Sequence, residues 1–192
     1  TPYPTLFPYT TLFRSQLAVS LKKSANNKHY DWMESMKQIV QVGDMKVGVK
    51  GDEIVTHALG SCLGLMVYDP VAHVGGLLHA MLPLSKINPQ KAEANPYMFV
   101  DKGVPCLFKE VYGLGGEKER LIVKAAGCGS PIGKNEMFKI GERNYTVLKK
   151  LLWKNGVLLK AEEVGDSISR TVYFDISTGR VTIKTGQRER LL

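Results

Sequence analysis

The stretch CLGLMVYDPVAHVGGLLHAMLP, residues 62–83, decides the fold. Leu63, Leu65 and Val67 alternate with Gly64, Met66 and Tyr68, and Asp69 and Pro70 then start a turn. A second apolar run, GGLLHAML at 75–82, is ended by Pro83. Two such runs around a turn signal predict a β-hairpin that reverses near Val71 and Ala72. Few charges interrupt either strand, so both are expected to be buried within a sheet.

The flanking sequence extends the sheet. Upstream, QIVQVGDMKVGVKGDEIVTHALG (38–60) reads as short strands with turns at Gly43 and Asp44 and at Gly51 and Asp52. Before it, Tyr30, Met33, Met36, Lys37 and Val40 roughly follow a 3–4 spacing, which predicts a helix over 26–40. Downstream, PLSKINPQKAEANP (83–96) carries three prolines and reads as a loop, with Asn95 and Pro96 as cap and first helical position. Val100, Val104, Leu107, Phe108 and Val111 then share one helical face, and Gly103 and Pro105 within it predict a kink or break. ERLIVKAAG (119–127) is a strand, and ERNYTVLKKLLWKNG (142–156) a helix stopped by Gly156. VLLKAEEV, RTVYFDI and RVTIKT are strands, the last two joined by a hairpin at STG. This order of strands and helices predicts an α+β fold, layered α/β, with mixed sheets and flanking helices.

Residues 1–15 stand apart. TLFPYTTLFRS, 5–15, is without a gap the translation of a widely used short-read sequencing adapter. Three prolines also exclude a regular element there, so the stretch is set aside from fold and function. The organisation expected is an adapter-derived segment at 1–15, an N-terminal extension at 16–40, one domain at 41–186 and a C-terminal tail at 187–192.

The formal charge of +8 falls to +4 between residues 41 and 186, where 19 Lys and Arg face 15 Asp and Glu. No block of like charge and no aromatic-interleaved basic stripe occurs, so no nucleic acid is expected as a partner. No apolar run approaches the ~18 residues a membrane helix needs, so no membrane insertion is expected. Cys62, Cys106 and Cys128 are odd in number, widely spaced and without a CxxC, which speaks against disulfides or zinc and for a reducing compartment. The four histidines lack ligand spacing, and the glycine-rich segments lack a phosphate-loop pattern.

Cys62 follows Gly60 and Ser61 at the mouth of a strand. Two readings stay open: a nucleophile at a sheet edge, or a small buried core residue. His79 lies on the neighbouring strand of the hairpin, offset by about two residues, which a same-face diagonal pair spans at ~7–8 Å. A histidine there lowers the thiol pKa and favours thiolate. The surrounding GGLL and AMLP offer His79 no other polar partner. His57 and His73 compete for the role, His73 from the turn where exposure is expected. Thr56 is one strand residue among many, though a hydroxyl there is able to orient an imidazole.

THALGSC followed by YDPVAHVGGLLHAMLP resembles the signature of the CheD family, the chemoreceptor glutamine deamidases. Thr56 stands six before Cys62, and His79, in an H-x-M-L-P motif, seventeen after it. IGERN at 140–144 and the stretch 165–170 extend the likeness to roughly 42–184. The resemblance implies a fold shared with cysteine-dependent toxin deamidases. It also implies Cys62 as nucleophile, His79 as general base and acid, and Thr56 as the residue that positions the histidine. The activity implied is hydrolysis of receptor glutamines to glutamates in the cytoplasm, without cofactor or metal. The partners implied are methyl-accepting chemotaxis receptors and a CheC-type phosphatase. By analogy with nucleophile turns, the backbone N–H groups of Gly60, Ser61 and Leu63 are the oxyanion candidates. The alternative is a catalytically idle docking module. His57 or Ala58 stands where the family commonly carries a glycine, and Cys128 where small residues are usual.

Overall fold

The hairpin forms the middle of a five-stranded sheet in the structure, a computed structural model that describes residues 36–130 and 139–192. The adapter-like stretch 1–15 and the first ten residues of the helix expected over 26–40 lie outside the described residues. The hairpin strands are β4 (Leu63–Asp69) and β5 (Val74–Ala80), paired antiparallel from Leu63 opposite Ala80 to Asp69 opposite Val74. Asp69 closes the turn by accepting from the backbone N–H groups of Val71 and Ala72 at 2.8 and 3.0 Å, and Arg120 ties it to the far side.

This sheet runs β2 (Asp44–Val49), β5, β4, β6 (Ile122–Gly127), β7 (Leu159–Val164). A second runs β1 (Lys37–Val40), β3 (Glu53–Leu59), β8 (Arg170–Asp175), β9 (Arg180–Thr185), β10 (Arg188–Leu191). β1 with β3 and β6 with β7 are parallel; the other neighbours are antiparallel. The helices are α1 (Pro89–Ala94), α2 (Val100–Gly113) and α3 (Ile140–Lys154).

Strand alternation sorts the core into two layers. Met66, Tyr68 and Leu77 meet Ile54, Leu59, Val172, Phe174 and Ile183 between the sheets. Leu63, Leu65, Val67 and Leu78 meet Val104, Leu107 and Phe108 of α2 and Leu148 and Leu151 of α3 on the other face. β4 and β5 are thus covered on both sides, which is why they read as almost unbroken apolar runs. Sheet, sheet and helices make three layers, the mixed α+β architecture expected.

Four details differ from the sequence reading. Lys37–Val40 is a strand and not the end of a helix, because its backbone completes a parallel ladder with β3, reinforced by Lys37 on Glu53 at 3.0 Å. The segment assigned to a tail supplies β10, anchored by its ladder with β9 and by Arg190 Nε donating to Glu163 at 2.6 Å. The loop 83–96 contains α1, capped by Asn88, and Asn95 caps a single 3-10 turn rather than the long helix. α2 continues across Pro105 as one span, since its buried face against the sheet outweighs one missing N–H bond. Among the described residues, no helix is long and apolar enough to cross a membrane.

Candidate active site

The two sheets come together at the end of the hairpin that carries Cys62 and His79. In the register, His79 faces Gly64, two residues along from Cys62, so the thiol and the imidazole share the inter-sheet face. The second sheet delivers Thr56 from the opposite side. Its Oγ1 lies 2.8 Å from His79 Nδ1 and 2.8 Å from the carbonyl oxygen of Val40. Thr56 and His79 are 0% and 1% exposed.

These two distances determine the tautomer. A threonine hydroxyl has one proton, and the Val40 carbonyl is able only to accept, so Thr56 donates to Val40. Thr56 Oγ1 then accepts from His79 Nδ1–H, which leaves the lone pair on Nε2. Nε2 is buried and has no hydrogen-bond partner among the described residues. Burial pushes the His79 pKa down to about 4 and pushes the Cys62 thiol up. Both directions favour neutral groups. Burial therefore works against the thiolate expected from the sequence and favours a neutral thiol and a neutral imidazole.

Cys62 sits half-buried on a turn whose three carbonyls are all tied down. Gly60 O accepts from Gly129 N at 2.8 Å, Ser61 O from Asn144 Nδ2 at 3.0 Å and Cys62 O from Cys128 N at 2.7 Å. The N–H groups of Gly60, Ser61 and Cys62 donate to nothing among the described residues. Leu63, by contrast, opens the β4 ladder, paired with both Ala80 and Gly127. Gly60, Ser61 and Cys62 therefore lie before the ladder, and Leu63 belongs to it.

The turn is preceded by a bulge. The β3–β8 register shifts between Thr56 and Leu59, with His57 and Ala58 opposite one residue of β8, and Ala58 adopts a left-handed φ of 57°. The bulge carries the exposed His57 out to Thr171, 3.4 Å from Nδ1 to Oγ1, away from the buried pair. His73 lies in the hairpin turn, half-buried, with Nδ1 3.1 Å from the Tyr68 hydroxyl. Cys128 is buried in the helix-side core, where its thiol is pushed up to about 12.

Two contributors were not legible. The Val40 carbonyl leaves no trace in sequence, because every residue has one. Asn144 left a faint one, a polar residue on the apolar face of α3 in line with Val147, Leu148 and Leu151.

A family model described as CheD chemotactic sensory transduction matches residues 81–185. A protein of Solibacter usitatus named "Probable chemoreceptor glutamine deamidase CheD" is 46% identical over 155 residues, which cover 80% of this chain and 92% of that protein. A stretch of that share includes Thr56, Cys62 and His79 wherever it begins. Similar matches are "Probable chemoreceptor glutamine deamidase CheD 1" of Syntrophus aciditrophicus, 45% identical with 77% and 92% covered, and a "Probable chemoreceptor glutamine deamidase CheD" of Pyrococcus horikoshii, 43% identical with 78% and 93% covered.

Proposed function

The chain belongs to the CheD family, and on that footing we propose that it is a protein-glutamine deamidase of chemoreceptors in which Cys62 is the nucleophile, His79 the base and acid, and Thr56 the residue that orients His79. The observation that carries the residue assignment is the relay from the Val40 carbonyl through Thr56 to His79, which leaves an unprotonated Nε2 on the face that Cys62 shares, two register positions away.

His79 Nε2 takes the thiol proton as Cys62 Sγ attacks the glutamine carbonyl carbon. The oxyanion that develops faces the free N–H groups of Gly60, Ser61 and Cys62. The imidazolium gives its proton to the departing nitrogen, ammonia leaves, and a thioester remains. Nε2 then takes a proton from water as its oxygen attacks the thioester. Return of that proton to sulfur releases glutamate and restores the neutral pair. Each half uses the same nitrogen twice, once as base and once as acid, with no cofactor required.

The free thiols fit work in the cytoplasm, on the cytoplasmic helices of methyl-accepting receptors. On family grounds a CheC-type phosphatase is a second partner for the same surface. The test is incubation with a receptor cytoplasmic fragment and mass spectrometry of the Gln-to-Glu gain. Cys62→Ala is expected to lower the rate at least ~10³-fold, while Cys106→Ala and Cys128→Ala retain turnover. Activity in Cys62→Ala would overturn the nucleophile. A wild type that binds the fragment without changing its mass would make the chain a docking module.

A further inference from the structure

Asn144 bridges the two chain segments that carry the proposed nucleophile and base. Its Nδ2 donates to Ser61 O at 3.0 Å, one residue before Cys62, and to Met81 O at 3.1 Å, two residues after His79. The β4–β5 ladder ends at Leu63 opposite Ala80, so this amide joins the strands where backbone pairing stops. Two carbonyls that converge on one nitrogen require both amide protons. A flipped amide would turn its oxygen toward both, so the orientation is determined. Asn144 is 0% exposed, and its Oδ1 has no partner among the described residues. The side chain is held there for its two donors and not for full satisfaction of its own atoms.

Gly141 explains how the helix comes close enough. A Cβ at Gly141 would lie 2.3 Å from Gly129 O and 2.4 Å from Cys128 O, so only glycine lets the first turn of α3 rest on that backbone. Asn144 follows three residues later on the same helix face. The Gly and Asn of IGERN are thus one device: the first sets the approach, the second makes the contact.

The consequence lies in the peptide plane. In a trans peptide the N–H points opposite to the preceding C=O. Ser61 O is directed at Asn144, so the N–H of Cys62 is directed away from the helix layer. We propose that Asn144 is a positioning residue that locks the Ser61–Cys62 peptide plane and thereby aims the Cys62 N–H as the oxyanion donor. This rests on the reading of Cys62 as nucleophile.

An acyl transfer and an alkylation separate this role from general support. Deamidation develops an oxyanion; displacement of iodide from iodoacetamide by Cys62 does not. Asn144→Asp and Asn144→Ser are compared with wild type, Cys62→Ala and His79→Ala, all in the full chain. Three quantities are measured: kcat and KM on the receptor fragment, the alkylation rate of the Cys62 peptide by mass spectrometry, and the melting temperature. Both Asn144 variants are expected to lose roughly 10²-fold in kcat, with KM and Cys62 alkylation within about threefold of wild type. His79→Ala is expected to lose both deamidation and alkylation. An Asn144 variant that is folded and keeps its kcat overturns the proposal, as does a parallel loss of kcat and alkylation. Should Asn144→Asp not fold, the smaller Asn144→Ser decides alone. Deamidation by Cys62→Ala instead overturns the underlying reading, and this proposal with it.

Discussion

Replacing His79 with Asn tests whether the resting site is neutral. Asparagine keeps a donor where Nδ1–H meets Thr56 and removes the titratable group. In the native state burial holds His79 at about 4, against 6.5 for an ordinary histidine. The depressed value sets the sign. Between these two values the unfolded chain binds a proton that the native chain does not, so stability falls as pH falls through 6.5 toward 4. Integration between about pH 7 and about pH 4.5 gives a loss of roughly 2.5 kcal/mol from this one residue. With a urea slope of about 1–3 kcal/mol/M, the midpoint moves by about 0.8–2.5 M. Paired carboxylates such as Glu163 also lose stability in acid, but equally in both proteins, so they cancel in the comparison. The assay is urea unfolding of wild type and His79→Asn at both pH values. Wild type is expected to lose roughly 2.5 kcal/mol more than the variant. Equal losses would mean that burial does not depress the His79 pKa, and a smaller loss in wild type would mean that the native state holds this proton more tightly than the unfolded chain, as a thiolate–imidazolium pair would. Either result would refute the neutral-pair reasoning.

Three further outcomes follow from the same geometry. Thr56→Val removes the acceptor for Nδ1–H, frees the imidazole to put its proton on Nε2, and is expected to lower kcat roughly 10²-fold. Thr56→Ser should keep most activity, and a fully active Thr56→Val would refute the relay. Ala58→Gly is expected to stabilise the fold by about 0.5 kcal/mol, since alanine at a φ of 57° is strained and its side chain is exposed. A lower urea midpoint would contradict this. We also propose that residues 1–15 are foreign to the domain; their deletion should leave the melting temperature unchanged, and a drop of several degrees would count against it.

The departure at Ala58 connects the two levels. From sequence it is only a residue where the family commonly has glycine. The structure supplies the reason: the bulge in β3 needs a left-handed residue there, and it is this bulge that turns the chain from Thr56 toward the Cys62 turn. Hairpin and helix faces were legible because period-two and 3.6-residue patterns record which side each residue buries. β1 and β10 were not, because a short edge strand is held by a ladder to a distant segment and carries little pattern of its own.

The sequence by itself determined the hairpin, its register and the same-face placement of Cys62 and His79, all consequences of local alternation and a strong turn. The family motif added Thr56 and the role proposed for each residue. Tertiary structure alone decided the rest. Thr56 reaches His79 because two sheets stack face to face. The tautomer depends on a carbonyl from β1, and the ionisation state depends on burial by layers far apart in the chain. The Cys62 turn is held by a helix some eighty residues downstream, through Asn144. Contacts of that kind arise from packing between elements, and packing leaves only a faint mark in the order of residues along one chain.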